Sequence, residues 1–141
     1  MSVDPAFRPA VDLLRDLASG EVGARELLEH YLARVARLNP KLNAVVTLDE
    51  EGARRAADAA DAARARGDRL PPLHGLPMTV KDTLETAGVR TTAGAPALAE
   101  HVPGHDATAV ARLRAAGAVI FGKTNTPTFA GDVQTFNPVF G

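Results

Sequence analysis

Lys81 is the residue whose type and position best suit it to acid–base chemistry. It follows residues 76–80, an apolar run with the length of a buried strand, and it precedes Asp82. Chemistry in α/β proteins usually lies at the carboxyl ends of such strands. Only three of the 16 basic residues are lysines, so the chain uses arginine wherever a plain positive charge suffices. Because a buried lysine can lose its proton and arginine cannot, a lysine at this strand end suits a proton acceptor.

A structural role for Lys81 is also open on the residues alone. Its ammonium group can reach the surface along the aliphatic stem or pair with Asp82, because structural ion pairs also occupy strand ends. The catalytic interpretation predicts that Lys81 is buried near Asp82 or near loop carbonyls. It also predicts that the strand ending at Lys81 adjoins a second strand over residues 118–121.

The rest of the chain predicts the elements that would position this lysine. Helices are predicted over 9–19, 24–38, 50–66 and about ten residues between Asp106 and Gly117, and strands over 42–48, 76–80 and 118–121. Asn39-Pro40 is expected to stop the second helix, and Asp106 to cap the fourth. The last two strands are joined through a helix, which predicts an α/β fold with a βαβ-like layout and chemistry along one sheet edge.

Composition bounds the class of protein. A chain of 141 residues suits one domain, and its formal net charge of -1 gives no reason to expect nucleic acid or an anionic membrane as a partner. The absence of cysteine excludes disulfides and thiol catalysis. No signal peptide is visible at the N-terminus, and no apolar run approaches the roughly 20 residues of a spanning helix. We therefore expect a cytoplasmic protein.

Metal and cofactor sites are not expected. His101 and His105 are four residues apart beside Asp106. The Pro-Gly pair between them breaks any helix, so the two histidines cannot lie one helical turn apart as a pair of metal ligands. No glycine pattern typical of dinucleotide binding follows a predicted strand. Thr91 and Thr92 suit either hydrogen bonds to a substrate or the satisfaction of loop backbone groups.

Several motifs, in order and at fitting spacing, resemble those of the amidase signature family. The residues that carry the resemblance are 73–82, 91–94, Asp106, 110–118 and 122–127. Members of this family are Ser-Ser-Lys amide hydrolases and include the A subunit of tRNA-dependent amidotransferases. The resemblance runs from about Leu13 to the last residue and implies the N-terminal part of the amidase-signature fold, an incomplete mixed sheet covered by helices. It also implies that Lys81 is the catalytic lysine.

The family mechanism needs groups that this sequence does not supply. The resemblance implies that one serine attacks an amide carbonyl, a second serine held by a cis peptide bond relays its proton, and the lysine accepts it. Both serines are expected just C-terminal to the matched residues. Ser2 and Ser19 are the only serines here, and neither is a credible nucleophile. Thr128 is a further departure, because the family commonly has an acid before the phenylalanine, which puts a structural hydrogen bond in doubt.

Two functional hypotheses follow. In the first, residues 1–141 are the N-terminal portion of an amidase-signature domain that cleaves a small-molecule amide, and the 141-residue chain alone is inactive. In the second, the chain is a non-catalytic remnant or accessory protein that binds a partner through its aromatic tail. That tail, residues 126–141, carries Phe129, Phe136 and Phe140 and shows no clear helix or strand. Uncovered sheet edges and these aromatic rings predict self-association.

Overall fold

A computed structural model describes residues 4–141 of the chain. In this part of the chain a small mixed sheet lies between helices. The helices are α1 (Ala10–Ser19), α2 (Ala24–Leu42), α3 (Glu50–Ala65) and α4 (Thr108–Ala115), and the strands are β1 (Val45–Leu48), β2 (Pro77–Lys81) and β3 (Val119–Thr124). Short 3-10 turns occupy Pro5–Phe7, Pro96–Leu98 and Thr128–Ala130.

The sheet has the strand order β1-β3-β2. Strands β2 and β3 run parallel and are connected through α4, whereas β1 pairs antiparallel with β3. The predicted βαβ-like layout and the mixed sheet are therefore confirmed. Within residues 4–141, β2 lies at one edge of the sheet, so its carboxyl end adjoins only β3.

One hydrophobic core joins α1, α2 and α3 to the sheet. Leucines at helical spacing on α1 and α2 give each helix one apolar stripe, and small alanines on α3 let that helix approach closely. The buried members of this core are Leu13, Leu17, Ala24, Leu27, Leu28, Leu32, Ala53, Ala57, Leu76, Val119 and Phe121. A second, smaller core of Val80, Val110, Ala118 and Ile120 packs α4 against β2 and β3.

The predicted end of α2 was wrong. The helix continues past Pro40 to Leu42 and ends at Asn43, which adopts a left-handed conformation with φ of 50°. A helical bond from the Asn43 N–H to the Asn39 carbonyl at 2.8 Å spans the proline. The Asn39 side-chain oxygen then accepts from the Ala44 and Val45 N–H groups at 2.9 and 2.8 Å, which fixes the chain just after the helix. The Asn39 side-chain nitrogen also donates to the Val45 carbonyl at 2.8 Å. Strand β1 consequently begins at Val45 rather than at residue 42.

Asp106 does not cap α4, contrary to the prediction. The helix begins at Thr108, and the residue before it, Ala107, makes no side-chain capping bond. The Asp106 carboxylate instead accepts from the Ala87 N–H at 2.7 Å and pairs with Arg114 at 3.1 Å. Asp106 therefore ties the loop after β2 to α4.

Candidate active site

Lys81 is the last residue of β2 and lies opposite Thr124 of the parallel neighbour β3. The predicted position at a strand end beside the second strand is confirmed. The predicted burial is wrong, because the Lys81 side chain is exposed. The physical reason is its place at the end of an edge strand, where no element of residues 4–141 covers it. Among the described residues its side chain is therefore open to solvent.

Asp82 is fully buried and turns away from Lys81. Its backbone N–H donates to the Thr124 carbonyl at 3.0 Å, which extends the β2–β3 pairing by one bond. One carboxylate oxygen accepts from the Thr92 N–H at 3.0 Å and from the Thr92 hydroxyl at 2.6 Å. The other carboxylate oxygen, Oδ1, is buried without a hydrogen-bond partner among the described residues. Asp82 thus anchors the loop that returns to the strand end, and it forms no ion pair with Lys81.

The buried lysine of this region is Lys123, one residue before the end of β3. The β2–β3 register shifts between Met78 and Thr79, because they lie opposite Ile120 and Gly122. This bulge in β3 places Lys123 opposite Val80, on the face of the second core. No role was predicted for Lys123 from the sequence, although it is another of the three lysines and also follows an apolar strand.

The ammonium group of Lys123 has three acceptors. It donates to the Leu84 carbonyl, to the Thr86 hydroxyl at 3.0 Å and to the Thr91 hydroxyl at 2.7 Å. The residue has 0% exposure, so these protein groups take the place of water around the charge. Thr91 is therefore engaged within the protein, as is Thr92 through Asp82.

Burial lowers the pKa of Lys123 to about 8. The carboxylates of Asp82, Asp106 and Glu85 oppose this shift, and the positive charge of Arg114 adds to it. Loss of hydration around the ammonium group outweighs the three carboxylates.

A tight turn over residues 92–94 connects the strand end to the C-terminal tail. Ala93 has a left-handed backbone with φ of 50°; its N–H donates to the Asp82 carbonyl at 3.0 Å and its carbonyl accepts from the Phe129 N–H at 2.8 Å. Thr128 donates its hydroxyl to the Gly94 carbonyl at 3.1 Å. Thr128, which stands where the family commonly has an acid, therefore makes its own hydrogen bond to the turn.

Asn137 fastens the tail to the end of β3. Its side-chain nitrogen donates to the Asn125 side-chain oxygen at 2.7 Å and to the Thr126 carbonyl at 2.8 Å. Its side-chain oxygen accepts from the Val139 and Phe140 N–H groups at 2.9 and 2.8 Å. A side chain at Gly94 would place its Cβ 2.8 Å from the Asn137 Cβ, so the turn and the tail need glycine there. The tail consequently lies against the candidate site.

The aromatic residues of the tail differ in their environment. Phe129 and Phe136 are 67% and 69% exposed, whereas Phe140 is partly covered and lies 5.1 Å from the Arg90 guanidinium. Val133 beside them is fully exposed. The segment thus combines a hydrogen-bonded anchor with an apolar surface that no described residue covers.

The histidines and the serine take structural partners. His101 and His105 both approach Glu85, with their Nε2 atoms 3.2 and 3.1 Å from its two carboxylate oxygens. No group of three or more possible metal-binding side chains occurs within residues 4–141. Ser19 donates to the Asp16 carbonyl at the end of α1, and Ser2 lies outside the described residues. Among the helices that the structure describes, none has the length and apolar composition to cross a membrane.

Comparison with known proteins defines the family. A family model described as Amidase matches residues 26–141. The match covers Lys81, Asp82, both parallel strands and the tail, which is well over half of the chain. The chain therefore belongs to the Amidase family, and the resemblance predicted from the motifs is confirmed.

Proteins similar to this chain include A subunits of glutamyl-tRNA(Gln) amidotransferase. The chain is 49% identical over 129 residues to the A subunit of glutamyl-tRNA(Gln) amidotransferase from Roseiflexus sp. (strain RS-1), a match that covers 92% of this chain and 26% of the relative. It is 47% identical over 127 residues to the protein of the same name from Synechococcus sp. (strain WH7803), covering 90% of this chain and 26% of the relative. The chain thus spans about a quarter of the length of these relatives.

Solved amidase structures share the fold. Peptide amidase from Stenotrophomonas maltophilia is 38% identical with a TM-score of 0.84, and the match covers 92% of this chain and 27% of that one. 6-Aminohexanoate cyclic dimer hydrolase is 34% identical with a TM-score of 0.85, covering 99% of this chain and 28% of that one. The mixed α/β arrangement is therefore that of the corresponding quarter of an amidase.

Proposed function

We propose that this chain contributes Lys81 to an enzyme that hydrolyses the C–N bond of a carboxamide. The observation that carries the proposal is the position of Lys81 at the end of β2, beside β3, in a member of the Amidase family. Lys81 is exposed at this strand end, whereas Lys123 on the adjoining strand is enclosed and uses its N–H groups within the protein. Of these two lysines, Lys81 is the one that can exchange protons with an incoming group.

The chemistry is acyl transfer. A serine hydroxyl adds to the amide carbonyl, and its proton passes through a second serine to the neutral Nζ of Lys81. The proton then moves to the departing nitrogen as the C–N bond breaks, which releases ammonia or an amine and leaves an acyl-serine ester. Water hydrolyses that ester by the same proton route in reverse. Lys81 must therefore be neutral when the serine attacks.

We further propose that residues 1–141 are the N-terminal portion of an amidase-signature domain. The relatives are covered over only 26% of their length, although 90% or more of this chain is matched. Ser2 and Ser19 are the only serines of the sequence and neither is a credible nucleophile, so we expect the 141-residue chain alone to form no acyl-serine ester. We expect a complete reading frame to encode a Gly-Ser-rich segment after residue 141.

An ammonia-release assay tests the proposal. The protein encoded by the complete reading frame should hydrolyse a simple carboxamide, and Lys81→Ala should lower kcat on the order of 10³-fold or more. Lys41→Ala is the matched control, because Lys41 is also an exposed lysine but lies at the end of α2. Near-normal turnover by the Lys81 variant would remove this residue from the mechanism.

A second candidate is the A subunit of an amidotransferase. The identities to the two amidotransferase components, 49% and 47%, exceed those to the peptide amidase and the cyclic dimer hydrolase, 38% and 34%. In that case the amide-cleaving site serves a complex, and activity should rise when the other subunits are added. Equal activity with and without them would favour a free-standing amidase.

A non-catalytic role is the third candidate, supported by the exposed apolar surface of the tail. Phe129, Val133 and Phe136 offer a surface for a protein partner or a second copy of the chain. In this role Phe136→Ser should abolish binding, and Lys81→Ala should leave it unchanged. A reading frame that ends after Gly141 would favour this candidate over the amidase.

A further inference from the structure

One residue, Leu84, connects the two lysines near the carboxyl ends of β2 and β3. The Leu84 N–H donates to the carbonyl of Lys81 at 2.9 Å, closing the turn that ends β2. The carbonyl of the same Leu84 accepts from the buried ammonium group of Lys123. The backbone of Lys81 is therefore held by a residue that Lys123 itself holds.

From this connection we infer that Lys123 is a positioning residue for Lys81. Its ammonium group fixes the turn after β2 through Leu84, and this turn sets where the Lys81 side chain leaves the sheet. In this role Lys123 keeps its N–H groups bonded within the protein and transfers no proton. The inference rests on the proposed function for its catalytic consequence, while the connection through Leu84 stands on the structure.

The number of donors explains why a lysine occupies this position. An ammonium group has three N–H bonds, and three oxygens from Leu84, Thr86 and Thr91 receive them. Both threonines lie on the loop that returns from β2 toward the strand end. A methionine has a similar length but offers no donor, so it would fill the space and release the loop.

Charge supplies a second reason. Asp82 is buried beside the loop with one unpartnered carboxylate oxygen, and a nearby positive charge stabilises it. The other charged groups that act on Lys123 are Asp106 and Glu85, which attract it, and Arg114, which repels it. Lys123 therefore balances the buried negative charge next to Lys81 as well as holding the turn.

Hydrogen exchange on the 141-residue chain tests the connection directly. In Lys123→Met, the Leu84 amide should exchange on the order of tenfold faster than in the parent chain, and the backbone NMR signal of Lys81 should shift. Leu28→Val is the matched control, because Leu28 is fully buried in the first core, whereas Leu84 packs against the second core. This control should lower overall stability while leaving the Leu84 and Lys81 signals in place under native conditions.

Kinetics separate positioning from simple support of the fold. In the protein from the complete reading frame, Lys123→Met should lower kcat about tenfold or more and change KM by less than about twofold. Leu28→Val should leave both near the parent values below its unfolding temperature. Unchanged Leu84 exchange in Lys123→Met, or an equal change in both variants, would overturn the inference. If the parent hydrolyses no amide, the proposed function fails, and the exchange and NMR results still decide whether Lys123 positions Lys81.

Discussion

Lys81 and Lys123 leave adjoining parallel strands on opposite faces of the sheet. Lys123 lies opposite Val80, and Lys81, the next residue of β2, lies opposite Thr124. Because successive side chains of a strand alternate in direction, one lysine enters the protein and the other meets solvent. The two residues share a type and a setting but differ in burial and in hydrogen-bond partners, and measurable consequences follow from this difference.

Lys123 should give stability a distinctive dependence on pH. Its pKa is about 8 in the folded chain, below the value of about 10.4 for an unperturbed lysine, so the unfolded chain binds more protons between these values. The free energy of unfolding of the parent chain should therefore rise, relative to that of Lys123→Met, as pH increases from about 8 to about 10. Urea titrations at pH 7 and pH 10 measure this difference.

The control for the pH prediction is Lys41→Met, which removes an exposed lysine at the end of α2. Its difference from the parent chain should stay nearly constant over the same range. A parallel pH dependence for the parent and Lys123→Met would show that the Lys123 pKa is not lowered in the folded chain.

Removing the hydroxyl that Asp82 accepts should destabilise the chain. Thr92→Val keeps the shape of the side chain but withdraws the donor 2.6 Å from the buried carboxylate, so we expect a loss of about 1–3 kcal/mol in the free energy of unfolding. Thr135→Val makes the same chemical change at an exposed position and should have little effect. Chemical denaturation measures both. Equal stabilities would mean that the Thr92 hydroxyl does not support Asp82.

The motifs predicted the elements of the fold better than they predicted the environment of its lysines. Apolar stripes and terminal signals located all four helices of residues 4–141, and the two apolar runs before Lys81 and Lys123 located the parallel strands. The prediction for the end of α2 was wrong because a helical hydrogen bond from Asn43 to Asn39 spans Pro40, and the Asn39 side chain holds the residues just after the helix. The local Asn-Pro pattern does not contain these hydrogen bonds.

Burial of the two lysines depends on long-range features that sequence pattern does not contain. The one-residue bulge between β2 and β3 decides which face Lys123 occupies, and the edge position of β2 decides that Lys81 is exposed. The scarcity of lysine in the chain was a usable signal for both residues. This scarcity favours a specific role for Lys81, and the same reasoning applies equally to Lys123.

Asn137 should control the attachment of the tail. Asn137→Ala removes a buried side chain that makes four hydrogen bonds, so the Val139 and Phe140 amides should exchange much faster with solvent. Gln134→Ala alters an exposed residue of the same segment and should change neither amide. Hydrogen exchange followed by mass spectrometry measures the protection of the Val139 and Phe140 amides in both variants. Retained protection in Asn137→Ala would place the anchor of the tail elsewhere.

The exposed apolar surface of the tail should drive self-association of the 141-residue chain. Sedimentation velocity should show species larger than a monomer at high concentration, and Phe136→Ser should reduce them because it removes a ring that is 69% exposed. Thr135→Ser changes the neighbouring exposed residue without removing an aromatic ring and serves as the control. A monomer at every concentration tested would contradict this prediction.

The most direct test of Lys81 separates basicity from positive charge. Lys81→Arg, made in the protein from the complete reading frame, keeps a cation at the end of β2 but cannot accept a proton at ordinary pH. The amidase account predicts that kcat for a simple carboxamide falls nearly as far as in Lys81→Ala, on the order of 10³-fold, while Lys41→Arg retains the parent kcat. An active Lys81→Arg variant would show that the site needs charge rather than a base, and would contradict the account.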